Sequence, residues 1–244
     1  MPALPEILGC YQSQKREKMG GKGSKGREFT QRIDWLALRL DPDRILTFPL
    51  DEGHLPLPLQ KIVAADEFLL HYLPAPLLFT ERLAPAAVVL VRLLRDVGPV
   101  LDHKTLPAAE QALFVVVLTA LAVAGLPDTG NEALKVLSTA GGGMAAQAQA
   151  ISINAFGISL RKRGDFDAAA AFYRKALELA PTDERLMFNL ARALYEKGDA
   201  PACSQLLEQA LAAAPEFAEA KAFLRWLKRR TRVPGDDDFP DITI

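Results

Sequence analysis

The feature that most constrains this chain is an internal repeat. Gly164-Asp165-Phe166 returns as Gly198-Asp199-Ala200, Ala176-Leu177 as Ala210-Leu211, and Pro181 as Pro215, all at a spacing of 34 positions. One spacing shared by several independent residue types means one structural unit used twice. The residue types say what the unit is. A glycine after an apolar-periodic segment supplies the left-handed turn that ends a helix. An aspartate directly after it caps the next helix by accepting from orphan N–H groups. Ala169, Tyr173 and Ala176 then form one apolar stripe, and Pro181 closes the unit. In the second unit Met187, Leu190, Ala191, Leu194, Cys203, Leu207 and Ala210 take the corresponding places. Pro201 falls in a first helical turn, where its missing N–H is tolerated. Each unit is therefore a helix–turn–helix. Helix A of the first spans about residues 145–163, with the small Gly157 letting its partner helix approach closely.

Over residues 150–230 the chain resembles the tetratricopeptide repeat family, whose unit has this length. A third helix, starting near Glu216, presents Ala218, Ala220, Phe223 and Leu224 on one face and Lys221, Arg225, Lys228, Arg229 and Arg230 on the other. It reads as the cap that such an array needs to cover an apolar end face. Two units bury too little core alone, so residues 107–143 are expected to act as a divergent repeat-like hairpin stacked in front.

The resemblance implies an interaction module that holds a peptide or partner helix in a concave surface lined by each helix A. Carried over by position, that surface is Asn154, Ala155, Ile158, Arg161 and Lys162 in the first unit. In the second it is Arg185, Phe188, Asn189, Arg192 and Tyr195. The face is basic, with two asparagines and two aromatics, and it suits an acidic extended peptide or a terminal carboxylate, because arginine grips carboxylates in bidentate fashion. The alternative is a solvated charged face. Chaperone-binding members of the family carry a clamp of lysines and asparagines. Here only Asn189 matches it: Ile158 stands at a second asparagine position, and Glu219 and Phe223 stand where basic residues are needed. A chaperone-tail receptor of that kind is not expected.

The rest of the chain reads as mostly helical, giving an all-α fold class: an α-solenoid array preceded by a helical N-terminal region at residues 29–106. Residues 1–28 mix Lys15, Arg16, Lys18, Lys22, Lys25 and Arg27 with glycines and read as a disordered basic arm. Met19-Gly20-Gly21-Lys22-Gly23-Ser24 matches a myristoylation pattern if Met19 is the initiator. Residues 29–40 suggest a helix ended by Asp41-Pro42. Residues 45–48 are either a short strand or part of an apolar connector. Helices are expected over 59–72, 85–96, 107–124 and 131–139, with Pro85 in a first turn. Residues 231–244, with Asp236, Asp237, Asp238 and Asp241 beside Phe239 and Ile242, read as an acidic disordered tail. That tail is either a solubilising end or a segment that competes with a partner for the basic face.

Composition bounds the function. The 244 residues carry a formal net charge of -1, which argues against a general pull toward nucleic acid or anionic membrane. The longest apolar run, 112–126, is short of the ~20 residues a span needs. No membrane span is expected, and a cytoplasmic location follows by default. Cys10 and Cys203 are far apart and suggest neither a disulfide framework nor a zinc site. Cys10 lacks the flanks of a lipoprotein cleavage site. His54, His71 and His103 are scattered without metal-ligand spacing. Residues 21–24 are not a phosphate loop, and no nucleophile elbow or dinucleotide fingerprint is present. No enzyme activity, cofactor or nucleic-acid partner is expected. The role these residues point to is an adaptor or scaffold in a larger assembly, with a dedicated chaperone for a secreted or membrane-associated client as the alternative.

Overall fold

The computed structural model describes residues 3–19, 27–97, 101, 103–127, 130–140 and 143–230. The glycine- and lysine-rich stretch at 20–26, with most of the myristoylation pattern, and the acidic end at 231–244 lie outside the described residues. The chain divides into two compact units, with the boundary between Gln149 and Ala150.

The first unit corrects the all-helical expectation, because it opens on a five-stranded antiparallel sheet. Its strands are β1 (Glu6–Met19), β2 (Arg27–Arg39), β3 (Arg44–Pro49), β4 (Lys61–Ala64) and β5 (Tyr72–Pro74), in the order β4-β3-β2-β1-β5. β1 and β2 stand where the basic arm and the helix over 29–40 were expected. They pair from Glu6↔Arg39 to Met19↔Arg27. The physical reason is a period of two. Leu36, Leu38 and Leu40 alternate with Trp35, Ala37 and Arg39, so the three leucines share one face and are all buried. Ile33, Leu36 and Leu40 also satisfy a three-and-four spacing, which imitates a helix. Ile7 to Tyr11 shows no alternation because β1 is central and both of its faces are covered. β3 realises the strand alternative at 45–48. The helix expected over 59–72 is instead β4, the short α1 (Ala65–His71) and β5.

One face of the sheet presents Cys10, Leu36, Leu38, Leu46 and Phe48 to a helical layer. The other face is covered by α1. Tyr11 and Phe68 meet edge to face at 4.7 Å, and Phe68 stacks on Tyr72 at 4.7 Å. β1 carries a bulge between Ile7 and Gly9. Gly9 has φ 99°, and the amide of Gln149 fills the space beside it: a Cβ there would lie 1.5 Å from Gln149 Nε2. That nitrogen donates to the Leu8 carbonyl at 3.3 Å. Only glycine meets both conditions.

The helical layer begins earlier than Pro85. α2 (Pro76–Leu78), a π turn at Phe79–Leu83 and α3 (Ala84–Val97) follow without a break. Pro85 cannot donate to the carbonyl four residues back, and the wider turn keeps the chain helical where that bond is missing. The hairpin expected at 107–143 is present as α4 (Ala108–Val123) and α5 (Gly130–Ser138). Its apolar residues, including Leu113, Val117, Leu121, Ala133 and Leu137, share one core with α3 and the sheet. That core is what buries the hairpin, and both helices belong to the first unit.

The second unit contains most of α6 (Gly143–Lys162), then α7 (Phe166–Leu179), α8 (Glu184–Glu196), α9 (Ala200–Ala213) and α10 (Ala218–Arg230). Its two A-to-B turns are alike. Gly164 and Gly198 have φ 80° and 87°. Asp165 N–H donates to the Leu160 carbonyl at 3.0 Å, and Asp199 N–H to the Leu194 carbonyl at 2.9 Å. Asp165 then caps α7 through Ala168 N–H, and Asp199 caps α9 through Ala202 N–H, each at 3.1 Å. Asp183 caps α8 by accepting from Arg185 and Leu186 N–H. Phe188, Ala191, Cys203, Leu207, Ala220 and Phe223 form a core that joins α8, α9 and α10. Burial, with Asp199 nearby, pushes the Cys203 thiol up to about 12, so it stays protonated and unreactive.

Candidate functional site

The site grows from α6 and α8, the two A helices. On α6, Asn154, Ile158 and Arg161 recur at helical spacing along one stripe. On α8, Asn189 and Arg192 form the matching stripe. The two are tied together where Asn189 Nδ2 donates to Asn154 Oδ1 at 3.0 Å. Asn189 is buried and Asn154 half-buried, so this bond satisfies amides that would otherwise be costly to enclose.

A third element reaches the stripe from behind. Tyr173 on α7 is fully buried, and its ring crosses α6 at Gly157, where a Cβ would lie 2.5 Å from a ring carbon. One turn along α6 from Gly157 is Arg161, whose guanidinium approaches the Tyr173 hydroxyl. Arg161 Nε and the Tyr173 hydroxyl are both buried, and neither makes a hydrogen bond of good geometry. Burial pushes the Tyr173 phenol above its ordinary range, while Arg161 and Arg192 oppose that shift. Burial also lowers the Arg192 pKa, and the like charge of Arg161 lowers it further, with Tyr173 and Glu196 acting the other way. Arg192 lies 5.8 Å from the centre of the Phe188 ring. The cluster is thus rich in donors and positive charge.

The remaining expected residues sit elsewhere. Phe188 is fully buried against Phe217 and Phe223, so its ring belongs to the core and is not offered to a partner. Tyr195 packs edge-on against Phe223 and Trp226, and its hydroxyl accepts from Arg230. Arg185 is exposed at the start of α8 and lines a shallow hollow of about 520 Å³ with Pro215, Phe217 and Glu219. Lys162 and Ala155 are exposed, and Ile158 is half-buried. Position alone did not single out Tyr173 as a site residue. The signal was in the sequence: a glycine mid-helix in one helix and a tyrosine in the next, where the second unit has Ala191 and Leu207.

The first unit holds an apolar pocket of about 500 Å³ between α4 and the 56–60 segment, with Phe48, Pro56, Leu57, Val115 and Val116 in its walls. Its polar lining is Gln60, Gln111 and Thr119, and no lining side chain titrates near neutral pH. Among the described residues, no group of three or more His, Cys, Asp or Glu side chains could hold a metal ion. Among them too, no helix is long and apolar enough to cross a membrane.

Stacked helix–turn–helix units with paired A-helix stripes define a repeat protein of the α-solenoid class. Comparison with known families gives the narrower answer. Residues 160–227 match the tetratricopeptide repeat model. Such repeats generally mediate protein–protein interaction.

Proposed function

We propose that this protein is an adaptor or scaffold that holds a peptide or partner helix along the A-helix stripes of its repeats. The observation that carries the reading is the tie between the stripes: Asn154 and Asn189 are fixed to one another, with Arg161 and Arg192 close enough to repel. Two like charges kept together and partly buried are unfavourable in the unbound protein, and a negatively charged partner relieves that cost. The partner segment on this reading is acidic. Asparagine amides beside the arginines suit the backbone of an extended peptide.

The test is affinity capture from lysate followed by mass spectrometry, comparing wild type with Arg161→Glu plus Arg192→Glu. Loss of one or more captured proteins, with the helical content unchanged by circular dichroism, is the expected result. An identical set of captured proteins would remove the stripes from the docking surface.

A further inference from the structure

β1 and β2 run on past the rest of the sheet. β3 pairs with β2 only from Trp35 to Arg39, and β5 with β1 only from Tyr11 to Ser13. Beyond those points β1 and β2 still pair with each other, from Gln14↔Arg32 to Met19↔Arg27. Among the described residues, no third strand joins either edge of this stretch. The result is a two-stranded ribbon, about 17 Å long at the usual rise per residue. It holds five cations, Lys15, Arg16, Lys18, Arg27 and Arg32, against two carboxylates, Glu17 and Glu28. The formal net charge of -1 for the whole chain conceals this local excess. Register leaves the charges unmatched. Lys15 stands opposite Gln31, Arg16 opposite Thr30 and Arg27 opposite Met19, and only Lys18 stands directly opposite a glutamate. At the root of the ribbon Arg32 is exposed, and its Nε donates to Asp34 at 3.4 Å. A two-stranded ribbon is marginally stable by itself, and like charges gathered on one weaken it further. A polyanion offsets both.

From this placement we infer that the β1–β2 ribbon docks in the major groove of double-helical DNA, with Lys15, Arg16 and Arg27 neutralising phosphates. That groove is about 12 Å wide and admits a two-stranded ribbon. A duplex as long as the ribbon carries about ten phosphate charges. Such contacts hold and orient the protein without reading bases. The other occupants fit less well. A second copy would bring the same charge to the same edges. Met19 and Phe29 stand opposite Arg27 and Glu17, so the register offers no apolar cross-strand pair to enter a bilayer. Double-stranded RNA has a major groove too narrow and deep to enter. This inference stands apart from the A-helix stripes and does not depend on them.

The experiment follows the anisotropy of a short fluorescein-labelled DNA duplex as full-length protein is added. Saturable binding is expected, and three neutralised phosphates make a threefold rise in salt weaken it about twentyfold. Lys15→Gln with Arg16→Gln and Arg27→Gln should weaken it about tenfold or more. Arg16→Lys with Arg27→Lys keeps the charge and should bind as wild type does, which separates lost charge from a lost ribbon. Arg174→Gln with Arg225→Gln and Arg229→Gln removes as much charge from exposed positions of the second unit and should leave binding unchanged. The same assay is run with an RNA duplex of matching sequence, and co-sedimentation with phosphatidylserine vesicles tests the lipid alternative. Both should show binding at least tenfold weaker than to DNA. No binding to DNA overturns the inference, and so does an equal loss from the two glutamine triples. RNA or vesicles bound as tightly as DNA overturn it as well.

Discussion

Gly157 and Tyr173 show how far one pair of residues sets the character of a repeat. A methyl group at 157 would meet the Tyr173 ring at 2.5 Å, well inside contact distance. Gly157→Ala should therefore destabilise the second unit by about 1–3 kcal/mol through overpacking. The second repeat already contains the compensated version, Ala191 with Leu207, buried in the core of α8, α9 and α10. Adding Tyr173→Leu to Gly157→Ala copies that pair and should recover most of the loss. Urea unfolding followed through Trp226, in a Trp35→Phe background so that the second unit reports alone, measures both variants. Equal stability of the single and double variants would contradict the packing account. At this scale the sequence was partly legible. Asn154 and Arg161 stand on α6, and Asn189 and Arg192 on α8. Phe188 and Tyr195 could not be sorted in advance, since an aromatic at such a position serves a core as readily as a groove. The contacts of α10 decide it: Phe217 and Phe223 enclose Phe188, and Arg230 holds the Tyr195 hydroxyl.

At the scale of elements, the helices after residue 107 were legible because their ends carry chemistry. Gly164 and Gly198 stop helices in the left-handed conformation, and Asp165, Asp183 and Asp199 start the next ones. Each aspartate accepts from one or two N–H groups that have no partner inside their helix. Replacing any one by alanine should cost about 1 kcal/mol of second-unit stability, within the usual range of about 0.5–2. Asp183→Ala should be the largest, since Asp183 accepts from two N–H groups. The same Trp226-reported unfolding measures the series, and three unchanged midpoints would show that the caps do not hold these helices. The sheet was not legible for the opposite reason. β1 is apolar on both faces at Ile7 to Tyr11, which erases alternation, and further along it carries charged residues that look like those of an unstructured arm. β2 has its alternation, but Ile33, Leu36 and Leu40 also fit a helix. What makes these segments strands is the pairing of Cys10 with Leu36 and of Tyr11 with Trp35 across the ladder. Such partners are distant in the chain, and a local pattern does not contain them.

The whole molecule joins a sheet-and-helix unit to a repeat unit, with the boundary between Gln149 and Ala150 inside α6. A single long helix hides that boundary from any reading of composition, because there is no linker to mark it. Residues 107–143 were expected to complete the array, on the ground that two repeats bury too little alone. The α4–α5 hairpin meets its own need for burial in a different core, against α3 and the sheet. The functional account then comes down to which surface of the repeats meets a partner. Site-specific photocrosslinking asks this directly, with benzoylphenylalanine placed either at Ile158, between Asn154 and Arg161 on α6, or at Gln205, exposed on α9. The account predicts that a partner crosslinks from position 158 and not from 205. Crosslinking from 205 alone, or equally from both, would contradict it.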